Sequence, residues 1–174
     1  AEPGDISDWS FGKDFRTLVG CGSSYDGYRS TYVSYPNSMD SVITICPDNL
    51  GDVTTVTFNF FSFGQNGDDA MYVYDGPTTG ATLLASTRGA TSAGFPAGGY
   101  YGNFTVPGDV NFPGPFTSTH SSGCITLRFR TSPSGGSFYD SGWESDVTCA
   151  PAPACATPSA VTISAIGGTN ATVS

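Results

Sequence analysis

The chain has 174 residues, enough for one well-cored domain and a remnant but not for two domains of ordinary size. Only 12% of residues are charged and 13% are aromatic, with 23 glycines and 12 prolines, a mixture that disfavours long helices and reads as all-β. Acidic residues exceed basic ones 15 to 6, giving a formal charge of -9 with the cations scattered, so nucleic acid is excluded as a partner, and no run of apolar residues is long enough to span a membrane.

In chain order, AEPGDISDW opens the sequence without Met and without an apolar signal core, as a mature exported chain or an excised piece does. Residues 1–20 are polar, with Trp9, Phe11, Phe15 and Leu18 as anchors, and read as an arm or an edge strand. SVITIC (41–46) is a strand, PDNLGD a turn, and TTVTFNFFSF (54–63) a strand whose Val56, Phe58 and Phe60 share a face. AMYVY alternates, with Met71 and Val73 on one side and Tyr72 and Tyr74 on the other, until Asp75, Gly76 and Pro77 end the ladder; ATLLAS resumes it.

From Thr87 to Gly123 the pattern dissolves into a Gly, Pro and aromatic stretch too long for an ordinary hairpin connection, and such loops are usually functional or mobile. CITLRFR, with Ile125, Leu127 and Phe129 on one face, and GWESDVTC, with Trp143, Val147 and Cys149 on one face, are expected to pair around SPSGGSFYDS. CAPAPACATPS has linker composition. AVTISAIGGTNATVS reads as a hairpin, only marginally stable alone, so either more chain follows or residues 160–174 add to a neighbour's sheet. The expected division is an arm (1–20), a sandwich (21–149), a linker (150–159) and the hairpin (160–174).

Five cysteines in such a chain point to an oxidising compartment. Cys21 and Cys46 are spaced as Cys124 and Cys149 are, which predicts sequential pairing among three connectivities and leaves Cys155 over. Strict alternation puts Cys124 on the face opposite Ile125, so that bridge requires a bend at the strand start. Zinc is disfavoured: no cysteine pair has the short spacer of a zinc site, and His120 is the single histidine.

Cys21 with YDG (25–27), Cys46, VTFNFFSF, the signature DAMYVYDG (69–76), LLAS followed by Gly89, CITLRFRTS and GWESDVTC together resemble a CUB domain, in particular the CUB-like modules of Bacteroidetes-type secreted proteins, over about residues 21–149. The tail from Cys155 resembles the first two strands of a fibronectin type III module. The resemblance implies a jelly-roll-like antiparallel β-sandwich, extracellular, binding or assembling without catalysing.

Many CUB domains hold Ca²⁺ with a Glu and two Asp residues. Carried onto this chain, one Asp matches Asp69, while the other positions fall on about Gly64 and Ser132. Ca²⁺ takes six to eight oxygens, and Asp69 alone is short of that; Asp68, Asp26 and Asp140 are the candidate substitutes. The stretch therefore reads as mainly architectural, with Asp68 and Asp69 capping one turn and Asp75 its own turn before Gly76, and with bound Ca²⁺ as the alternative.

His120 lies among hydroxyls without a nucleophile motif, and Glu2 and Glu144 are the chain's two glutamates, so hydrolase readings are weak. The rings of Phe95, Tyr100, Tyr101, Phe104, Phe112 and Phe116 either form a binding loop for a sugar or a protein or fold back over the sandwich. Asn103 and Asn170 start N-glycosylation triplets, and DSV around Ser41 resembles a short Bacteroidetes O-glycosylation motif. The expected function is a non-catalytic extracellular adhesion, binding or assembly module with a protein or surface glycan as partner. The alternatives are an accessory domain of a larger secreted peptidase and a carbohydrate-binding module.

Overall fold

A computed structural model describes residues 21–22, 24–27, 37–63, 67–104, 107–108, 112–133, 142–153, 163–167 and 170–173, with backbone alone for 24–27, 103–104 and the last two segments. The strands are β1 (Ser24–Gly27), β2 (Asp40–Ile45), β3 (Asp52–Phe63), β4 (Ala70–Asp75), β5 (Thr82–Leu83), β6 (Gly102–Phe104), β7 (Phe116–Thr117), β8 (Ile125–Arg130), β9 (Gly142–Pro151), β10 (Ile163–Gly167) and β11 (Asn170–Val173). One sheet runs β1-β9-β3-β6 with β7 also on β3, and the second runs β2-β8-β4-β5. Both are antiparallel, and β10 and β11 pair separately as the expected hairpin.

Alternation sets the core. Ile43 and Ile45 of β2, Met71 and Val73 of β4, and Ile125, Leu127 and Phe129 of β8 all turn inward, so Tyr72 and Tyr74 belong to the other side of that sheet. Against them lie Val56, Phe58, Phe61 and Phe63 of β3 with Trp143 and Val147 of β9. The face expected for β3 changes partway along the strand. A bulge between Phe58 and Phe60 places Asn59 and Phe60 in succession off the inner face, after which Phe61 and Phe63 point inward in place of Phe60.

Two sequence expectations fail for one reason: neighbours in sequence are not neighbours in a sheet. β8 and β9 do not form a hairpin, because β8 lies between β2 and β4 while β9 lies between β1 and β3. The disulfides are Cys21–Cys149 and Cys46–Cys124, not the sequential pairs. Ile45 faces Ile125 in the β2–β8 ladder, so the next residues out, Cys46 and Cys124, meet with Cα atoms 4.2 Å apart. Extending the β1–β9 register outward from Ser24 and Asp146 brings Cys21 opposite Cys149 in the same way. Each bridge closes the end of an antiparallel pair, and neither crosses from sheet to sheet.

The two sheets meet at Gly123. Its carbonyl accepts the Thr54 N–H at 2.9 Å, its φ is +68°, and a Cβ there would lie 2.2 Å from the Asp52 carbonyl oxygen, a clash no side chain relieves. β9 reaches Pro151, opposite Asp52, and so extends into the stretch that reads as linker. Residues 1–20, Asp140 and Cys155 lie outside the described residues.

Candidate functional site

The signature strand β4 ends at Asp75 and Gly76. Gly76 has φ +146°, and a Cβ on it would approach the Ala81 Cβ to 2.6 Å; its carbonyl accepts the Thr126 hydroxyl at 2.8 Å. The Asp75 side chain does not cap its own turn as expected. It reaches more than forty residues along the chain: Oδ1 accepts the Ser118 hydroxyl at 2.8 Å, the Thr119 N–H at 3.0 Å and the His120 N–H at 3.1 Å, and Oδ2 accepts the Thr119 hydroxyl.

Burial alone would raise the Asp75 pKa, but the hydrogen bonds from Thr119, Ser118 and the backbone outweigh it and hold the pKa below the ordinary carboxyl value. Its contribution to stability is therefore complete above the unfolded carboxyl range and is lost as pH falls through the folded value. Asp75→Asn is expected to cost at least about 2 kcal/mol at neutral pH, since an amide offers one acceptor to these donors. The gap between variant and native protein should narrow below about pH 4, as urea titrations at neutral and acid pH would show; a gap constant with pH counts against this account.

His120 forms no catalytic triad with these neighbours. Its Nδ1 accepts the Ser122 N–H at 3.1 Å and lies 2.9 Å from the Ser122 hydroxyl, while Asp75 takes the His120 main-chain N–H instead of orienting the ring. The cluster builds a loop.

Asp69, matched to the Ca²⁺ ligand of CUB domains, is buried, and its Oδ1 accepts the Ser132 N–H at 2.7 Å. Its link to the 132 loop is thus direct. Asp68 is half-buried, Asp26 stands opposite Glu144 on β1, and the Asp140 position lies outside the described residues. Among the described residues no three His, Cys, Asp or Glu side chains converge, and of the Ca²⁺ candidates Asp69 is engaged by the Ser132 main chain. Returning Ca²⁺ after chelation is expected to leave the thermal midpoint unchanged, whereas Asp69→Asn should lower it equally with and without the ion; scanning fluorimetry distinguishes this from a Ca²⁺-dependent rise.

The aromatic loop largely folds back. Phe116 is buried in the core, and Tyr100 and Phe112 pack against it, with the Tyr100 hydroxyl donating to the Leu84 carbonyl at 2.9 Å. Of the six binding-loop candidates, these three therefore lie in or against the core. Main-chain bonds between Met71 and Tyr100, at 2.9 and 2.7 Å, hold the loop along β4. Phe104 lies in β6, where its backbone pairs with Phe61. Phe95 and Tyr101 stay half-buried at the surface, each under a guanidinium: Arg130 lies 4.2 Å from the Phe95 centroid and Arg88 4.7 Å from that of Tyr101.

These arginines mark a feature that reading the sequence missed, the outer face of the β2-β8-β4 sheet. Val42, Arg128 and Tyr72 form one cross-strand row, and Asp40, Arg130 and Ala70 the next. Arg128 donates from Nε and Nη2 to both Asp40 oxygens at 2.7 and 2.6 Å, and Arg130 Nε is 3.4 Å from the same carboxylate. The Arg128 hydrogen bond, working against partial burial, lowers the Asp40 pKa. The alternation of Arg128 and Arg130 in CITLRFR was legible; that β2 would bring Asp40 and Val42 beside them was not.

Of the modification candidates, Ser41 is half-buried in β2 next to Asp40, and Asn103 lies in β6 with its backbone opposite Ser62. Asn170 begins β11.

No protein-family model and no curated protein matches the chain. Among solved structures it is similar to the CUB1-EGF-CUB2 domain of human MASP-1/3, with a TM-score of 0.50 and 16% identity over 78% of this chain. The match spans 42% of that chain's length. It is also similar to the MASP-1 CUB2 domain bound to Ca²⁺, at a TM-score of 0.45 and 14% identity, covering 75% of this chain and 96% of that one. With two antiparallel sheets around a shared apolar core, the chain has a CUB-like β-sandwich fold.

Proposed function

We propose that the chain is a non-catalytic extracellular module that binds or assembles proteins, within a secreted or surface protein of a Bacteroidetes-type bacterium. The observation that carries this reading is the fate of its reactive-looking groups. Asp75 is filled by the 118–120 loop, Asp69 holds Ser132, and the His120 ring is engaged by Ser122, so each acts as a structural tie. The two disulfides support an oxidising, extracellular setting. The pairing of β10 with β11 supports reading residues 160–174 as a fibronectin type III-like hairpin.

The carbohydrate reading has less support, because three of its rings face the core and two more carry a guanidinium on one side. Biotinylated protein with a photo-crosslinker, applied to the source organism's envelope, is expected to label one saturable, protease-sensitive partner. Labelling abolished by periodate would favour a glycan. No saturable labelling, together with turnover of a peptide or ester substrate, would sink the binding reading.

A further inference from the structure

Among the described residues two large apolar side chains are exposed, Val42 at 43% and Leu50 in full. An isolated exposed side chain is ordinary. Their surroundings are not alike, and they are opposite in charge. Val42 lies on the outer face of β2 beside Arg128 and near Arg130, where one carboxylate, Asp40, stands between two guanidiniums and leaves the patch positive. Arg130 Nε is buried without a hydrogen-bond acceptor. Leu50 caps the turn between β2 and β3, flanked by Asp48 and Asp52; the Asp52 carboxylate accepts the Asn49 amide at 3.1 Å and the Asn49 carbonyl accepts the Asp52 N–H at 3.2 Å, which fixes the turn.

Leu50 is fully exposed and so does not cover Val42 of its own chain. We propose that it covers Val42 of a second copy: the β2–β3 turn of one molecule docks on the β2–β8 face of another, Leu50 against Val42 and the carboxylates of Asp48 and Asp52 toward Arg128 and Arg130. The partner is thus the same chain, because each surface centres on one exposed apolar side chain and the charges around the two are opposite in sign. Since the two surfaces differ, the contact is head-to-tail and propagates unless it closes into a ring. This rests on reading the chain as an assembly module and specifies its partner.

Sedimentation equilibrium of the full chain tests it. The native protein is expected to self-associate with rising concentration, and less so at high salt, where the ion pairs are screened. Leu50→Ser and Val42→Asp should each raise the dissociation constant at least about tenfold, or about 1.4 kcal/mol. Each variant keeps one intact surface, so an equimolar mixture should recover a one-to-one complex that neither forms alone. A native protein that stays monomeric, association unchanged in both variants, or a mixture no better than its components overturns the proposal. If the native protein is monomeric but both variants lose the crosslinked partner, the surfaces serve a different protein: the second copy is then wrong and the module reading stands. Loss of saturable labelling by the native protein itself would remove that reading instead.

Discussion

Replacing Cys46 and Cys124 together by serine is expected to lower stability by about 4.5 kcal/mol, and replacing Cys21 with Cys149 by about 5 kcal/mol, in the chain-entropy account of cross-links. The sequence separations are 78 and 128 residues, and releasing loops of that length returns a large conformational freedom to the unfolded chain. Guanidinium titrations of the two double variants measure the losses. Peptide mapping without reductant checks the connectivity, since it must yield Cys21 joined to Cys149 and Cys46 to Cys124. Losses below about 1 kcal/mol would mean that the unfolded chain is already constrained or that strain in the native state offsets the gain.

Trp143→Ala is expected to cost about 3–5 kcal/mol, the range for removing a large buried ring. Trp143 is fully buried, with its ring 5.3 Å from that of Phe63 and 5.5 Å, edge to face, from that of Phe129. Phe63 belongs to the same sheet as Trp143, and Phe129 to the other. The indole therefore fills space where the sheets meet, and a cavity there removes contacts from both. Trp143→Phe, which keeps a ring in the gap, should lose less than half as much. Equal losses for the two variants in urea titrations would show that the site collapses around either residue.

Local chemistry was legible in the sequence and long-range pairing was not. Alternation put Ile125, Leu127 and Phe129 on one face, which proves to be the core face, and it separated Met71 and Val73 from Tyr72 and Tyr74, because the side-chain period of a strand is fixed by its backbone. It failed at Phe60, where one inserted residue reversed the faces, and no residue at that point announces a bulge. Cysteine spacing misled because a disulfide follows the strand register, and the register joins β2 to β8 across the whole β3–β7 excursion.

The candidate site divides in the same way. The tight DG turn was visible in Asp75 and Gly76, but the Asp75 partners at 118–120 lie in a segment without periodicity. Asp69 appeared beside Asp68 as a turn cap, and the resemblance grouped it with the Ser132 position; that it would accept the Ser132 main-chain N–H has no signature in side-chain identity. The basic face combines three strands, so residues as far apart as Asp40 and Arg128 became neighbours only through the fold.

The Cys21–Cys149 bridge has a mechanical consequence. Cys46–Cys124 is nested inside it, so everything from 21 to 149 belongs to a covalently closed ring. A pull applied to the chain on either side of that ring passes from one sulfur to the other without loading the sheets. In a single-molecule stretching experiment the oxidised sandwich would add almost no length. Reduction of both bridges would then release up to about 430 Å of chain, the extended reach of 128 residues. Oxidised, the module is an inextensible link that can stay folded under tension.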